Sequence, residues 1–366
     1  METKQNIFNL RYLFNYLNNN NIIDSSLIKD FNMKNSKKVK SNTIIFSEEQ
    51  MNILKSFFTQ YYIKNKKIYN DLLKDISNGD NGKINELFVY YWLHDNYIDF
   101  IPQCEISSHN CLKKTNYISD GIINKRIVFD IKSFGIVFYT NEILYNKLAK
   151  KIYDKLGKDY ILSIDAPLVD NEQFNKYLNN TDDLVTKILS SKRNDILYIY
   201  KDVNSFTFTV RKCSHSCNIS HIDTYEWAQK NEYYPIKHSS QFVVNNPYIL
   251  FYAFDDSLYT YFQKQNDLYT ALRTISRRFF ISLNKKENIF INEFDTKASN
   301  NISVATASRK ISAVVYINIS KKHSYNNSEI YAFINPNADY KLFKYEINNL
   351  FEINGVTVDS FEFDNY

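Results

Sequence analysis

The stretch SDGIINKRIVFDIKSFG, residues 119–135, constrains the fold more than any other part of the chain. Its second half, residues 126–134, is so apolar that it predicts a strand inside a sheet with both faces covered. Side chains alternate along a strand, so Asp130 and Lys132 point to the same face, away from their apolar neighbours. A carboxylate and an ammonium group side by side in such a strand indicate a purpose beyond packing.

The segments around this strand predict an α/β layout with one sheet. Apolar spacing, turn residues and Gly157 as a helix stop give the order helix, three strands, helix, strand. The segments are GDNGKINELFVYYWLHDNY (79–97), IDFIPQCEI (98–106), NYISDGII (116–123), RIVFDIKSF (126–134), NEILYNKLAKKIYDKLG (141–157) and DYILSIDA (159–166). We expect the second and third strands to be joined by a short turn at Asn124 and Lys125.

The rest of the chain suggests three regions. Residues 1–80 show helical spacing of apolar residues, residues 81–205 hold the core just described, and residues 206–366 mix helix and strand patterns. In the last region we expect a helix over 259–283, strands over 310–319 and 328–336, a helix over 337–353 and a closing strand over 356–363. No internal repeat of 20 to 50 residues is present.

Composition limits the classes of function. The chain has 366 residues and a net charge of +5, which tolerates a polyanionic partner without requiring one. Its 30 Tyr and 27 Phe beside 6 Gly and 5 Pro suit an AT-rich genome, so aromatic richness alone is no sign of base stacking. The start lacks a secretory signal and no run of about 18 apolar residues occurs, which predicts a cytoplasmic protein without a membrane partner. GxxxxGK[ST] and GxSxG motifs are absent, which disfavours an ATPase motor and a serine hydrolase.

The setting of Asp130 and Lys132 distinguishes them from other acid-x-Lys triplets. Such triplets occur at four places in the chain, so the triplet alone carries little information. Here it lies in an apolar strand, Asp120 lies at the start of the preceding strand, and Glu86 lies in an apolar helix upstream. Four of the six glycines bracket this region, where close backbone approach is useful, namely Gly79, Gly82, Gly121 and Gly135.

This constellation resembles the PD-(D/E)xK nuclease superfamily, which includes many restriction endonucleases. The resemblance covers about a quarter of the chain and departs from the motif at Ser119, where proline is common. It implies an α/β fold with a restriction-endonuclease-like mixed sheet core flanked by helices, to which the patterns described above add a helical N-terminal region and an α+β C-terminal region. Asp120 corresponds to the motif acid, Asp130 and Lys132 to its acid-x-Lys, and Glu86 to the helix glutamate.

The resemblance also implies a chemistry. Phosphodiester hydrolysis is helped by a hard divalent cation that polarises the phosphoryl group and activates water. The expected cofactor is Mg²⁺, with Mn²⁺ as a substitute, because Mg²⁺ prefers oxygen ligands and keeps several waters. Its ligands would be Asp120, Asp130, Glu86 and the Ile131 carbonyl, whereas Lys132 would orient water or stabilise charge on phosphate. The expected function is a DNA endonuclease of the restriction or phage-defence type.

Three alternatives remain open at this stage. Asp130 and Lys132 could form a structural ion pair at a sheet edge, with Glu86 paired to Lys83 on a helix surface. The chain could keep the nuclease fold and bind nucleic acid without cutting it. It could also be an RNA nuclease on the same core.

Two further groups of residues are candidates for binding. Arg273, Arg277, Arg278, Arg309 and Lys310 predict a surface for double-stranded DNA, because arginine contacts phosphate bidentately and reads guanine edges. Salt bridges to nearby acids explain such residues equally well. The family resemblance adds a homodimer as an expected assembly.

The cysteines raise a separate metal hypothesis. CSHSCNISH places Cys213, His215, Cys217 and His221 within nine residues, and CEISSHNC places Cys104, His109 and Cys111 upstream. Thiolates and imidazoles could hold a structural Zn²⁺, but the spacings match no common zinc motif, so core or loop roles are favoured. Asp295 and Lys297 form a rival acid-x-Lys triplet, which polar residues follow in place of an apolar strand.

Overall fold

The protein forms two compact units. The first contains Met1–Ser133, Ile236–Asp256 and Phe279–Tyr366, and the second contains Phe134–Pro235 and Ser257–Arg278. The computed structural model describes residues 8–23, 45–46, 48–77, 82–112, 116–134, 136–157, 159–165, 176–202, 206–212, 224–254, 265–295, 301–319 and 329–361. The predicted boundaries at residues 80 and 205 divide the chain along its sequence and stay a prediction.

The helices and strands below are numbered over the described residues. The strands are β1 (Phe8–Asn9), β2 (Ile45–Phe46), β3 (Phe100–Ile106), β4 (Tyr117–Ile123), β5 (Ile127–Ser133), β6 (Tyr160–Asp165), β7 (Lys192–Asn194), β8 (Leu197–Lys201), β9 (Thr207–Lys212), β10 (Tyr248–Phe254), β11 (Ala313–Asn318), β12 (Ile330–Ile334) and β13 (Thr357–Asp359). The α-helices are α1 (Leu10–Asn19), α2 (Glu48–Tyr61), α3 (Lys66–Ser77), α4 (Gly82–Asp95), α5 (Ile136–Leu156), α6 (Thr181–Ser190), α7 (Thr224–Asn231), α8 (Gln265–Arg277), α9 (Val304–Ser308) and α10 (Lys344–Ile347).

The first unit is built on a mixed sheet of seven strands, in the order β13-β12-β11-β10-β5-β4-β3. The strands β3, β4 and β5 form an antiparallel meander, as the sequence predicted. On the other side of β5 the strands β10 and β11 run parallel to it and to each other. The mixed sheet and its flanking helices confirm the predicted α/β class.

Both faces of this sheet are covered, so the expectation of a buried strand around Asp130 is confirmed. On one face, α4 packs against the sheet with Tyr90 on Phe129 and Trp92 on Phe251, ring centroids 6.4 and 6.1 Å apart. On the other face, aromatic rings of β10, β11 and β12 form a second layer. These rings are Tyr252, Tyr316 and Phe333, with Phe361 stacked on the last.

Local backbone geometry explains the tight hairpin between β4 and β5. Asn124 and Lys125 have φ values of 49° and 56°, the left-handed pair that a two-residue turn between twisted strands requires. Asparagine adopts this conformation more readily than most residues. The turn fixes the register in which Gly121 faces Phe129.

The prediction of one sheet was wrong. Residues 159–166 were expected to lie in the same sheet as the three preceding strands, but β6 belongs to a four-stranded sheet of the second unit, in the order β6-β9-β8-β7. The place beside β5 is taken by β10, which pairs Leu250 with Asp130. Strand order along a chain does not reveal an inserted segment, and here residues 134–235 come between two neighbouring strands.

One predicted helix is shorter than expected, and residues 259–264 of a second lie outside the described residues. The helix expected over 337–353 begins at Lys344 and continues as wider π-type turns over Asn348–Glu352. The helix expected over 259–283 is regular over Gln265–Arg277 and then changes to π-type turns. Among the described residues, no helix has the length and apolar character needed to cross a membrane.

Gly121→Ala should destabilise the first unit by about 1 to 3 kcal/mol through overpacking. An added Cβ would lie 2.5 Å from the Phe129 ring and 2.8 Å from the Ile101 carbonyl oxygen. Denaturant unfolding would be followed by fluorescence of Trp92, left as the remaining tryptophan by Trp227→Phe.

Phe129→Leu provides the matched control for this substitution. If the clash is the cause, the double variant Gly121→Ala/Phe129→Leu should lose less stability than the sum of the two single variants. Additive losses would show that the cost of Gly121→Ala arises elsewhere.

Candidate functional site

The four predicted site residues come from three neighbouring elements of the first unit. Asp130 and Lys132 lie on β5, Asp120 lies on β4, and Glu86 lies on α4, which packs against β5. Asp130 is 1% exposed and Glu86 4%, whereas Asp120 and Lys132 are half-buried. The fold therefore places all four in one part of the first unit, with two carboxyl groups removed from water.

The strands β4 and β5 separate at the point where the acids lie. Their last paired residues at this end are Gly121 and Phe129. Beyond that pair, the Asp120 N–H donates to Asp130 Oδ1 at 3.1 Å, and the Ile131 N–H donates to Asp120 Oδ2 at 2.6 Å. Each carboxylate thus accepts a backbone hydrogen bond from the opposite strand, which locks the two aspartates together.

Asp130 is held by two tyrosine hydroxyl groups as well. Tyr248 on β10 donates to Asp130 Oδ2 at 2.5 Å, and Tyr117 on β4 donates to the same oxygen at 3.5 Å. Burial raises the pKa of both tyrosines, so they remain protonated donors. Burial also raises the pKa of Asp130, and the nearby Lys132 ammonium opposes that rise. Asp130 is therefore a desolvated group whose charge depends on its neighbours.

Glu86 lies in a different environment. Its Oε1 accepts from the Lys83 ammonium one turn earlier on α4, whereas its buried Oε2 has no hydrogen-bond partner among the described residues. Burial, followed by repulsion from Asp120, raises the pKa of Glu86 to about 8 against the opposing effects of Lys83 and Lys132. A buried oxygen without a partner beside a second carboxylate is a costly arrangement that a cation would relieve.

Two hydrogen bonds fix α4 relative to the strands. The Asn85 amide donates to the Ser133 hydroxyl at 2.5 Å, and the Tyr90 hydroxyl donates to the Asp120 carbonyl at 2.6 Å. The first turn of the helix is thereby held at the carboxyl end of β5, where Lys132 lies. Glu86 owes its position beside Asp120 to these contacts.

The donor atoms fit a hard cation that keeps most of its waters. Among the described residues, no group of three or more His, Cys, Asp or Glu side chains is placed to hold a metal ion. One oxygen on each of two acids remains uncommitted, however, because no hydrogen bond in the described chain uses Asp120 Oδ1 or Glu86 Oε2. Mg²⁺ commonly binds through one or two carboxylates with water completing its octahedron.

The alternative explanation, in which Asp130 and Glu86 only form structural ion pairs with lysines, agrees with part of the structure. Glu86 and Lys83 do form the expected ion pair, although Glu86 is buried and not on the surface. The strand β5 lies between β4 and β10, so Asp130 is not at a sheet edge. Within the described chain, Asp130 has tyrosine and backbone partners and forms no close ion pair with Lys132.

Several of the predicted DNA-binding residues are paired with acids. In the second unit, Arg278 pairs with Glu232 at 2.5 Å. In the first unit, Arg309 pairs with Glu287 at 3.2 Å and Lys310 with Asp339 at 2.6 Å. Arg273 and Arg277 lie on α8. The structure therefore shows the salt bridges of the simpler explanation, and DNA contact by these residues stays a prediction.

The other metal candidates gain no support from contacts. The residues Cys213, His215, Cys217 and His221 lie outside the described chain, as do Lys297, Gly79 and Gly135. Cys111 is buried and its thiol donates to the Ser107 carbonyl at 3.3 Å. Cys104 is half-buried, and neither cysteine forms a disulfide bond. Asp295 accepts the Ser240 N–H at 2.9 Å, which is a structural contact.

Sequence reasoning missed the two tyrosines that hold Asp130. Tyr248 begins YILFYAF, a run of seven buried residues that on inspection indicates a central strand. That signal could have located β10, but its partner in the sheet could not be read from the run. Tyr117 lies in a strand that was predicted, and no sequence feature indicated that its hydroxyl reaches Asp130.

Comparison with known proteins does not assign a family. No family model matches the chain, and no solved structure matches it. A curated protein, the MATH and LRR domain-containing protein PFE0570w of Plasmodium falciparum, is 26% identical over 295 residues. The match covers 76% of this chain, which spans 2% of the length of that protein.

Glu86→Gln should stabilise the metal-free protein increasingly as the pH rises. The raised pKa means that the folded protein binds this proton more tightly than the unfolded chain does. The free energy of unfolding of the wild type therefore falls as the pH rises from 4.5 to about 8, and glutamine removes that fall. Melting temperatures in EDTA at the two ends of this range would measure the effect.

Glu105→Gln is the control, because Glu105 is an exposed carboxylate of the same unit. Its substitution should leave the melting temperature nearly unchanged across the same range. A Glu86→Gln protein whose advantage shrinks with rising pH would contradict the assigned environment of Glu86.

Tyr248→Phe should destabilise the protein by about 1.5 to 3 kcal/mol, the usual range for a hydrogen bond to a buried charged group. Tyr117→Phe should cost less because its bond to Asp130 is 3.5 Å long, against 2.5 Å from Tyr248. Chemical denaturation of both variants would test this order. Equal losses would mean that the two hydroxyl groups share Asp130 evenly.

Proposed function

We propose that the protein is a Mg²⁺-dependent endonuclease that hydrolyses phosphodiester bonds of DNA. The observation that carries the proposal is the separation of β4 and β5 at Asp120 and Asp130, together with the buried Glu86 of α4, whose pKa the Asp120 charge raises. The acid and the acid-x-Lys lie on adjacent strands of a meander within a mixed sheet, and the glutamate lies on the helix that packs against it. This is the arrangement that the resemblance to the PD-(D/E)xK superfamily implies.

Asp120 and Glu86 would hold the metal through the oxygens that remain uncommitted. A bound Mg²⁺ would polarise the phosphoryl group and activate a water molecule. Asp130 would keep Asp120 in position through the Asp120 N–H and would add negative charge to the site. Direct ligation by Asp130 and by the Ile131 carbonyl, which the family pattern implies, stays a prediction.

Lys132 would act on the phosphate. It is half-buried on β5, and its charge opposes the rise in the pKa values of Asp130 and Glu86. Such a cation can orient the attacking water and stabilise the charge that develops on the phosphoryl oxygens.

The wider setting belongs to the same proposal. Double-stranded DNA is the substrate we favour, and a restriction or phage-defence role and a homodimer follow from the family resemblance. A non-catalytic nucleic-acid-binding protein on the same fold is the second candidate. It is favoured by one observation, that no three potential metal ligands come together in the described chain.

Cleavage by purified protein tests the proposal. Supercoiled plasmid, linear duplex, single-stranded DNA and RNA would be incubated with Mg²⁺, Mn²⁺ or EDTA. We expect metal-dependent DNA cleavage that Asp120→Asn and Glu86→Gln abolish and that Lys132→Met lowers by on the order of 100-fold or more. Glu105→Gln and Lys125→Ala remove exposed charges elsewhere in the first unit and should cleave like the wild type.

A second readout separates metal binding from catalysis. Mg²⁺ should raise the melting temperature of the wild type and of Lys132→Met, because both retain the carboxylates, but not that of Glu86→Gln. If Mg²⁺ changes no melting temperature and no substrate is cut, the nuclease proposal is wrong. Salt-sensitive nucleic-acid binding that persists in Asp120→Asn would then favour the non-catalytic candidate.

A further inference from the structure

A second surface of the first unit combines exposed aromatic rings with cations. The aromatic–lysine patch, as we call it, comprises Lys341, Phe343, Lys344 and Tyr345 together with Arg126 of the β4–β5 turn. Phe343 is 50% exposed and Tyr345 60%. Between them and the core, Leu342 and Glu346 are buried. These buried side chains anchor the segment in the first unit, whereas its two large aromatic rings are exposed.

Arg126 organises the patch. Its guanidinium donates two hydrogen bonds of 2.5 Å to the carboxylate of the buried Glu346 and one of 3.3 Å to the Lys341 carbonyl. It also lies 4.0 Å above the centre of the Phe343 ring. The Phe343 N–H donates to the same Glu346 at 2.7 Å. These contacts hold the outward rings in place before any partner arrives, which lowers the entropy cost of binding.

The rings form a stack rather than a loose apolar cluster. Phe343 and Tyr345 lie 5.6 Å apart between centroids, with 23° between their planes. The Arg126 guanidinium lies over Phe343, the Tyr345 ring stacks on Phe343, and at least half of each aromatic residue is exposed to solvent. Flat aromatic surfaces of this type bind nucleobases by stacking, whatever the base sequence.

The charge of the patch complements phosphate. Lys341 and Lys344 are exposed on either side of Phe343 along the chain. Within the described part of the chain, neither lysine forms an ion pair with an acid, in contrast to Lys310, which pairs with Asp339. Two uncompensated ammonium groups beside an aromatic platform favour a partner that carries both bases and phosphates.

We propose that the aromatic–lysine patch binds unpaired nucleotides of single-stranded nucleic acid. Phe343 and Tyr345 stack on bases, and Lys341 and Lys344 contact the phosphates between them. In a duplex the base faces are covered by neighbouring pairs, so an unpaired strand is the form that fits a platform.

This site is distinct from the candidate nuclease site. Arg126 precedes β5 and Lys132 lies near its other end, so at about 3.3 Å per residue the two are roughly 20 Å apart. Binding at the patch requires neither metal nor cleavage. Measurements in EDTA therefore test it independently of the proposed function.

The test uses the full-length protein with a fluorescent oligo(dT), a matched oligo(U) and a DNA duplex in EDTA. Phe343→Ala/Tyr345→Ala should weaken binding of the single strands by on the order of tenfold or more. Lys341→Ala/Lys344→Ala should lower the slope of log affinity against log salt by about 1.4, because each phosphate contact contributes about 0.7 for single strands. Tyr225→Ala and Lys201→Ala/Lys212→Ala remove exposed residues of the second unit and should change neither quantity.

Tyr345→Trp gives a direct readout of stacking that does not depend on how well the alanine variants fold. The natural tryptophans Trp92 and Trp227 are buried, so an exposed indole at this position should be quenched when a base stacks on it. Tyr225→Trp should not be quenched.

Three outcomes would overturn the proposal. The first is equal affinity of wild type and Phe343→Ala/Tyr345→Ala for single strands. The second is equal quenching of Tyr345→Trp by duplex and by oligo(dT). The third is a self-association, seen by light scattering, that Phe343→Ala/Tyr345→Ala dissolves while oligonucleotide binding is unchanged, because the patch would then be a protein interface.

Discussion

A carboxylate inside a central strand needs hydrogen-bond donors at that position, and much of the arrangement of the first unit depends on supplying them. Asp130 is 1% exposed on β5, which has a neighbour on each side. Its partners come from three sources: the backbone of β4, the hydroxyl of Tyr117 and the hydroxyl of Tyr248. Without those donors the desolvation of the carboxylate would exceed what a small domain can tolerate. The groups around Asp130 therefore supply the hydrogen bonds that water would otherwise donate to its carboxylate.

The same requirement makes the hydrogen bonding of the three acids different. Both oxygens of Asp130 accept hydrogen bonds, so the oxygens without partners in the described chain belong to Asp120 and Glu86. Repulsion from Asp120 contributes to the raised pKa of Glu86. Their repulsion destabilises the folded protein when no metal is bound, and it is the property that would give the site affinity for a cation. Neighbouring groups fix where the two free oxygens lie, since Asn85 and Tyr90 hold α4 against the strands and Asp130 accepts the Asp120 N–H.

The sequence predicted the parts of this arrangement that involve residues close together in the chain, but not the contacts between residues far apart in it. The three strands, their turn at Asn124 and Lys125 and the closeness of Asp120 to Asp130 depend on residues close together in the chain. Strand and turn patterns, together with the family resemblance, predicted them. The assignment of β6 to this sheet was wrong, because β6 and β10 are both apolar strands and no pattern states which one belongs beside β5. Contacts of Tyr248 and Glu346 with residues far away in sequence were invisible for the same reason. The helix expected from residue 337 starts at Lys344, since tertiary contacts outweigh the apolar spacing there.

The hydrogen bond between Asp130 and Tyr248 joins residues 118 positions apart in the chain. A contact of such long range forms late, because the entropy of closing the intervening loop must be overcome first. During synthesis the meander of β3, β4 and β5 would leave the ribosome well before β10, with β5 as a temporary edge and Asp130 still hydrated. A charged residue on that temporary edge discourages pairing with other nascent chains. The acid that a catalytic site would need thus also protects the growing sheet from aggregation until its proper neighbour arrives.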